Sequence, residues 1–223
     1  MTEKRALVVG ASGGIGAALA AELAGRAWQV TGLSRSGDGL DITDEASVAR
    51  VFGGLTGPFQ RLVVATGSLT SAGRSPEKAV REVTPEALLG QIAVNALGPM
   101  LVLKHALPLI PRDVPATIAV LSARVGSIGD NRLGGWHSYR ASKAALNQLF
   151  RGAAIEMKRT RKQATVLMLH PGTVATPFTE RYAARHKTVP AGEAARQLID
   201  VMDARGTADT GRFFDYAGRE IPW

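Results

Sequence analysis

Apolar and polar positions along the chain fall into alternating blocks of two kinds. Short apolar runs rich in β-branched residues predict buried strands, and they occupy residues 6–9, 30–33, 61–65, 117–121, 165–169 and 212–216. Longer apolar runs predict helices, at residues 17–23, 46–52, 86–110, 137–161 and 191–202. Strands that alternate with helices indicate an α/β fold, a doubly wound parallel sheet with helices on both faces. No repeat or linker interrupts the pattern, so residues 1–223 are predicted to form one domain.

The first predicted strand runs directly into a glycine-rich turn that precedes the first helix. Glycine lets a backbone take positive φ and lets a ligand approach closely, and the free amides of a helix N-terminus favour a diphosphate. The spacing Gly-x-x-x-Gly-x-Gly differs from the Gly-x-Gly-x-x-Gly dinucleotide fingerprint, and a plain tight turn is the alternative. The predicted phosphate-binding residues are Gly10, Ser12, Gly13, Gly14, Ile15 and Gly16.

The composition excludes several classes of protein. The chain has no cysteine, so disulfides and thiolate metal sites are excluded. The four histidines show no ligand spacing and are interpreted as structural or surface residues, so no metal site is predicted; they are His105, His137, His170 and His186. No apolar run is judged long enough to span a membrane and no signal-peptide pattern opens the chain, which predicts a cytoplasmic protein with no membrane partner.

The net charge of +8 would suit an anionic partner. The densest basic cluster, residues 158–162, falls where a helix is predicted to end, and cations there complement the helix dipole. No aromatic residue is interleaved with it. A solvated helix end is therefore the favoured interpretation, and no nucleic-acid partner is predicted.

Ser34 and Arg35 follow the second predicted strand. In dinucleotide-binding folds an acid near this point binds the ribose 2′-OH, whereas an arginine accommodates a 2′-phosphate. Because an arginine and no acid stands here, the sequence predicts NADP rather than NAD. A solvent-exposed arginine without a function is the alternative.

Tyr139 and Lys143 lie four residues apart on one predicted helix, so their side chains share a face. A nearby ammonium favours the phenolate and lowers the pKa of a tyrosine, which would let Tyr139 exchange protons near neutrality. Surface pairs with this spacing are common, and the pair alone is a weak signal.

The motifs taken together resemble the short-chain dehydrogenase/reductase family over essentially the whole chain. They are the glycine turn, Asn95, Ser122, Tyr139-Arg-Ala-Ser-Lys143 and the segment 170–176, His-Pro-Gly-Thr-Val-Ala-Thr. Within the family the chain is most similar to the branch named after the bacterial protein C-factor, which resembles the small carbonyl reductases of animals. The resemblance implies a Rossmann-type fold and an NADPH-dependent oxidoreductase that reduces a small-molecule aldehyde or ketone to an alcohol.

The resemblance also implies a role for each residue that matches the family's motifs. Tyr139 would deliver a proton to the carbonyl oxygen, Lys143 would hold the nicotinamide ribose, and Asn95 would extend a water relay. Asp41 and Ile42 would border the adenine. The remaining cofactor contacts implied are Ala65, Thr66 and Gly67, which stand where the family has Asn-Asn-Ala-Gly, and Pro171, Gly172, Thr173, Val174 and Thr176 beside the nicotinamide.

One departure from the family concerns the hydroxyl that assists the tyrosine. Counting back three residues from Gly126 reaches Ala123, where the family has its catalytic serine. Ser122, at the strand end, is our first choice for this hydroxyl and Ser127 our second, whereas Ser138 points away from the tyrosine on the helix. A signalling or sensing protein that binds a nucleotide and turns over little is therefore the alternative function.

Two further expectations concern association and the substrate. The long apolar helices favour a homodimer or homotetramer, with a monomer as the alternative. The segment 177–190, where the family keeps its substrate lid, is short and has Phe178 and Tyr182 as its aromatic residues. A short lid predicts an open pocket and broad carbonyl specificity.

Overall fold

The computed structural model describes residues 3–71, 73–179 and 188–223. Its strands are β1 (Arg5–Val9), β2 (Gln29–Leu33), β3 (Arg61–Val64), β4 (Ala116–Leu121), β5 (Ala164–His170), β6 (Val174–Ala175), β7 (Val189–Pro190) and β8 (Arg212–Asp215). Six of these described strands form a parallel sheet in the order β2-β1-β3-β4-β5-β8, and β6 pairs with β7. The predicted parallel sheet is confirmed; β6 and β7 were not predicted.

Helices cover both faces of the sheet. They are α1 (Gly14–Gly25), α2 (Arg35–Asp38), α3 (Glu45–Gly53), α4 (Pro85–Ile92), α5 (Gly98–Ala106), α6 (His137–Thr160) and α7 (Ala191–Asp203). Successive side chains of a strand point to opposite faces. Leu7 therefore joins the core formed with α3, α5 and α6, whereas Val8 joins the core formed with α1 and α7. The doubly wound α/β architecture is confirmed, and α2 is an addition to it.

The long predicted helix at residues 86–110 is a helical segment with a change of winding in its middle. Between α4 and α5, the segment Ala93–Leu97 is a π-helix. Proline has no N–H, so Pro99 cannot donate the α-helical bond to the carbonyl of Asn95. A π turn accommodates such a defect and is frequent at functional sites. Asn95 thus lies at the irregular point of the segment, fully buried.

This segment also corrects an expectation about membranes. Taken together, Pro85–Leu109 is long and apolar enough to cross a membrane by length and composition, so the statement that no run has this property is wrong. Its composition has another explanation in the fold. Val102, Leu103 and Ala106 lie in the core against the sheet.

The basic cluster at the end of α6 divides into two kinds of residue. Lys158, Arg159 and Lys162 are exposed, as a solvated helix end requires. Arg161 is buried, and its guanidinium donates hydrogen bonds to the carbonyls of Leu107 (2.5 Å) and Ile110 (3.4 Å). The interpretation of a solvated cluster is therefore wrong for Arg161, which ties α6 to the end of the preceding helical segment.

Candidate active site

The glycine turn between β1 and α1 leaves no room for side chains at its tightest points. Gly10 has φ 93°, and a Cβ there would lie 2.9 Å from the Ala65 carbonyl oxygen. A Cβ on Gly16 would lie 2.0 Å from the carbonyl oxygen of Gly10. Gly13 is the N-cap residue of α1, so no side chain caps this end of the helix, and its first turn has no acidic residue. Ser12, Gly13 and Gly14 are exposed. The amides of Gly10, Ala11 and Gly13 donate to backbone carbonyls, so the amides available to an anion are those of Ser12 and of the first residues of α1.

The residues predicted to line the cofactor surround this turn. A Cβ on Gly14 would lie 2.6 Å from Cγ2 of Thr176, which places the segment after β5 against the turn. From the other side, the methyl group of Thr66 lies 3.2 Å from the Cβ position of Gly10. The hydroxyl Oγ1 of Thr66 is buried and has no hydrogen-bond partner among the described residues. A cradle without side chains and an unpaired buried hydroxyl fit a dinucleotide.

The end of β2 shows that the sequence prediction missed an acid. Ser34 begins α2, and its backbone N–H donates to the carboxylate of Asp38 at 2.7 Å. Asp38 therefore lies beside Ser34 and Arg35, although the prediction from sequence considered no acid near the end of β2. Asp38 is four positions after Ser34, and the turn of α2 brings the two groups together. Arg35 is exposed beside them.

Asp41 and Ile42 lie beyond α2, outside the cleft described below. Asp41 is exposed, and its carboxylate accepts hydrogen bonds from the side chain and the backbone of Thr43, which lower its pKa. Ile42 is half-buried and fills the space above Gly98, where a Cβ would lie 2.7 Å from its side chain. Their predicted contact with the adenine stays a prediction.

The side chain of Asn95 is fully engaged in hydrogen bonds that join three parts of the site. Its side-chain carbonyl accepts a hydrogen bond from the backbone N–H of Ser68 at 2.9 Å. Its side-chain NH₂ group donates to the hydroxyl of Ser142 on α6 at 3.1 Å. The amide also donates to the carbonyl of Gln91. The side-chain amide thus holds the loop after β3 against α6. Because the side chain is occupied, a water relay through Asn95 would use its backbone carbonyl, which has no α-helical donor because Pro99 lacks an N–H.

Tyr139 and Lys143 are both buried on the face of α6 that meets the sheet. The Nζ atom of Lys143 lies 6.0 Å from the centroid of the Tyr139 ring and donates to the carbonyl of Leu121, at the end of β4, at 3.0 Å. A Cβ on Gly67 would lie 3.5 Å from this Nζ. Lys143 is therefore placed between the ends of β3 and β4, where parallel sheets bind ligands.

Burial controls the ionisation of both groups in the protein without ligand. It raises the pKa of Tyr139 and lowers the pKa of Lys143 to about 8. The expectation that Lys143 lowers the pKa of Tyr139 is therefore wrong for this state, because neither charged form is solvated. A raised pKa keeps the phenol protonated at neutral pH, as a proton donor requires.

The buried amine of Lys143 makes stability depend on pH. The pKa of Lys143 is about 8 in the folded protein and 10.5 at its ordinary value. At pH values between the two, the unfolded chain binds more protons than the folded chain does, so the free energy of unfolding rises with pH. From about pH 7.5 to about pH 9.5 the wild type is expected to gain about 2 kcal/mol more than Lys143→Met does. Urea unfolding of both proteins at the two pH values measures this difference. Equal gains would contradict a depressed pKa.

The start of α6 is held by a residue that sequence reasoning missed. Glu77 is buried, its carboxylate accepts from the backbone N–H of Ser138 at 3.2 Å, and it also binds the Ser138 hydroxyl. The side chain of Trp136, the N-cap residue of α6, makes no capping hydrogen bond to the first turn of the helix. Glu77 therefore supplies, from a distant loop, the anion that stabilises this helix end. The hydroxyl of Ser138 is thus bound to Glu77, and its predicted direction away from Tyr139 stays a prediction.

The two favoured serines are placed differently, since Ser122 lines the cleft described below and Ser127 does not. Ser122 lies at the end of β4, and its hydroxyl donates to the side-chain carbonyl of Asn147 on α6 at 2.6 Å. Ser127 is buried, and its hydroxyl accepts from the backbone N–H of Asp130 at 3.1 Å. Ser122 keeps its predicted place but its hydroxyl is committed to α6, and Ala123 has none.

A cleft of about 730 Å³ opens at the carboxyl ends of β4 and β5. The predicted residues that line it are Ile15, Ser122, Tyr139, Pro171, Gly172, Thr173, Val174 and Thr176. Ala123, Arg124, His170 and Phe178 also line it. His170, which was interpreted as a structural or surface residue, therefore lies at the cleft. Residues 180–187 of the predicted lid, with Tyr182, and His186 lie outside the described residues.

The chain is similar in sequence to several known proteins. The family model described as Enoyl-(Acyl carrier protein) reductase matches residues 10–214. The 1-hydroxy-2-glutathionyl-2-methyl-3-butene dehydrogenase of Rhodococcus sp. (strain AD45) is 31% identical over 229 residues, covering 97% of this chain and 98% of the relative. The C-signal of Myxococcus xanthus is 39% identical over 130 residues, covering 58% of this chain and 75% of that protein.

Solved structures extend the comparison to the fold. A short-chain dehydrogenase/reductase from Burkholderia multivorans with bound NADP is 30% identical, with a TM-score of 0.85 and coverage of 99% of this chain and 100% of that one. The NADPH-bound carbonyl reductase from chicken fatty liver has a TM-score of 0.82 with both chains fully covered. At 22% identity, it shows similarity of fold alone.

Proposed function

We propose that this chain, which belongs to the short-chain dehydrogenase/reductase family, is an NADPH-dependent enzyme that reduces aldehydes or ketones to alcohols. One observation carries the proposal. The cleft that Tyr139 lines is continuous with Ile15, in the glycine turn, and with Thr176, which packs on that turn. A proton donor and a diphosphate cradle therefore open into the same space. The Burkholderia relative with bound NADP supports the choice of cofactor.

Bound NADPH would supply the hydride that the carbonyl carbon accepts. The turn at residues 10–16 would hold the diphosphate through its backbone amides, and Lys143 would bind the nicotinamide ribose after leaving the Leu121 carbonyl. Tyr139 would donate its phenolic proton to the carbonyl oxygen, completing the alcohol, and would regain a proton through the water relay at Asn95. Arg35 would bind the 2′-phosphate.

The test is a cofactor-oxidation assay with NADPH and a panel of aromatic aldehydes, aliphatic aldehydes and diketones. Loss of NADPH absorbance, with an alcohol product identified by mass spectrometry, is expected for several members because the cleft is large. Cofactor binding, followed by fluorescence, is measured in parallel. NADPH that binds without oxidation by any member would contradict the proposal.

A second candidate is a nucleotide-binding signalling or sensing protein with little turnover. The observation that favours it is the loss of the serine hydroxyl at the family's position, since Ala123 has none and the hydroxyl of the neighbouring Ser122 donates to Asn147. The similarity to the C-signal of Myxococcus xanthus gives it further support. The same panel separates the two candidates, because only the enzyme oxidises NADPH.

We also propose that the protein forms a homodimer or homotetramer. The helical segments around α5 and α6 keep apolar side chains in solvent, and Leu97, Leu149 and Ile155 are 46%, 38% and 48% exposed. Such side chains become buried when equivalent helices pair. Light scattering across micromolar concentrations is expected to give a mass of two or four chains. A single species with the mass of one chain at every concentration would contradict this.

A further inference from the structure

Negative charge that develops on a carbonyl oxygen during reduction calls for a second hydrogen-bond donor beside the proton donor. The position of the family's serine is Ala123, which has no hydroxyl, although it lines the cleft. The hydroxyl of Ser122 donates to the side-chain carbonyl of Asn147, and Ser127 does not line the cleft. A residue of another element that lines the cleft is therefore a candidate for the second donor.

His170 is placed where such a donor is needed. It is the last residue of β5, beside the end of β4, where the backbone N–H of Ser122 donates to the carbonyl of Leu169 at 2.8 Å. It lines the same cleft as Tyr139 and Ala123. Its ring Nδ1 is buried without a hydrogen-bond partner in the part of the chain that the structure describes. An unpaired buried polar atom at a ligand crevice indicates a group whose partner arrives with the ligand.

We propose that the imidazole N–H of His170 donates a hydrogen bond to the substrate's carbonyl oxygen, next to Tyr139, and so replaces the hydroxyl that Ala123 lacks. The inference rests on the proposed carbonyl reduction. Arg124 is a weaker candidate for this role, because its guanidinium is paired with the carboxylate of Asp130 at 3.1 Å and its side chain is 46% exposed.

The charge state of the ring suits this role. Burial and, by a smaller amount, the Arg124 guanidinium lower the pKa of His170 to about 4. The carboxylate of Asp215 raises this pKa but does not outweigh the other two effects. The ring is therefore neutral at pH 7 and carries one N–H and one acceptor nitrogen. A neutral imidazole donates a hydrogen bond to the oxygen without competing with Tyr139 for delivery of the proton.

The kinetic test compares His170→Ala with the wild type on one ketone that the wild type reduces. Loss of one such donor is expected to lower kcat by about 10²–10³-fold, with NADPH binding unchanged. Ala123→Ser in the His170→Ala background, which restores a donor, is expected to recover about tenfold or more of the lost kcat. His105→Ala, a histidine outside the cleft, is the matched control and is expected to keep the kcat of the wild type.

Two kinetic outcomes would overturn the inference. One is a His170→Ala protein with full kcat. The other is a loss of kcat that neither Ala123→Ser nor the donor-retaining His170→Gln recovers, because that pattern indicates a structural role. If the wild type reduces no carbonyl at all, the proposed function fails and the inference fails with it. An active wild type with an equally active His170→Ala protein removes the inference alone.

A spectroscopic test uses the wild-type chain and does not depend on the folding of a variant. In protein labelled with ¹⁵N-histidine, the ring signals of His170 are expected to show a neutral tautomer at pH 7. Addition of the ketone together with NADP⁺, which cannot react, is expected to shift the signal of the protonated ring nitrogen. Ring signals of His170 that stay unchanged at saturating ketone would overturn the inference.

Discussion

Replacing Tyr139 with phenylalanine is expected to lower kcat for carbonyl reduction by about 10²–10⁴-fold, the usual contribution of a general acid. The variant removes one buried oxygen and keeps the ring that packs against Trp136, with ring centroids 6.1 Å apart. NADPH binding is therefore expected to be unchanged. Steady-state kinetics on the best substrate of the panel, with cofactor titration by fluorescence, measures both quantities.

The chain offers a matched control for this experiment. Tyr216→Phe makes the same chemical change at a residue that packs on Gly172 and does not line the cleft. It is expected to keep the kcat of the wild type. A Tyr139→Phe protein that retains more than about a tenth of the wild-type kcat would rule out Tyr139 as the general acid.

Arg35→Asp is expected to reverse the choice between NADPH and NADH. The substitution removes a charge-assisted bond to the 2′-phosphate and adds an acceptor for a ribose 2′-OH. The ratio of kcat/KM for NADPH to that for NADH is expected to fall by about 10²-fold, since a hydrogen bond to a charged group contributes about 1.5–3 kcal/mol. The kinetics of both cofactors with one carbonyl substrate measure the ratio.

A variant at Asp38 tests the same dependence on charge in the opposite direction. The Asp38 carboxylate lies on the backbone of Ser34, close to Arg35, and would repel a 2′-phosphate. Asp38→Asn is therefore expected to raise the preference for NADPH, in the direction opposite to Arg35→Asp. Arg81→Asp, an equal change of charge at an exposed residue outside the site, is the control and is expected to leave the ratio unchanged. Equal kcat/KM values for NADPH and NADH in the wild type would contradict the predicted role of Arg35.

The strands and the main helices could be predicted because their signals are local. An apolar run such as residues 117–121 becomes β4 within one residue at each end. The glycine turn was also recognisable, because Gly10 and Gly16 stand where any side chain would meet backbone. Both signals are patterns of residue types over short stretches, even though the backbone that excludes a side chain at Gly10 is that of the distant Ala65.

The parts of the site that could not be predicted depend on contacts between distant residues. Glu77 binds the start of α6 from 61 residues away, within a polar loop that has no periodicity. The bond from Ser122 to Asn147 crosses from β4 to α6, so the orientation of the serine hydroxyl was not readable from its position. His170 precedes Pro171 and Gly172, which were predicted beside the nicotinamide, but nothing in the sequence showed that the imidazole itself lines the cleft. Asp38 could have been found, because a serine followed by an acid four residues later is a local signal.

The most direct test of carbonyl reduction follows the transferred hydrogen itself. The protein is incubated with a ketone and with NADPH that carries deuterium at C4 of the nicotinamide, in two preparations labelled on opposite faces. The proposed function predicts that one preparation gives an alcohol with one deuterium on the carbinol carbon, that the other gives unlabelled alcohol, and that Tyr139→Phe forms little of either. Bound NADPH with no alcohol formed from either preparation would contradict it.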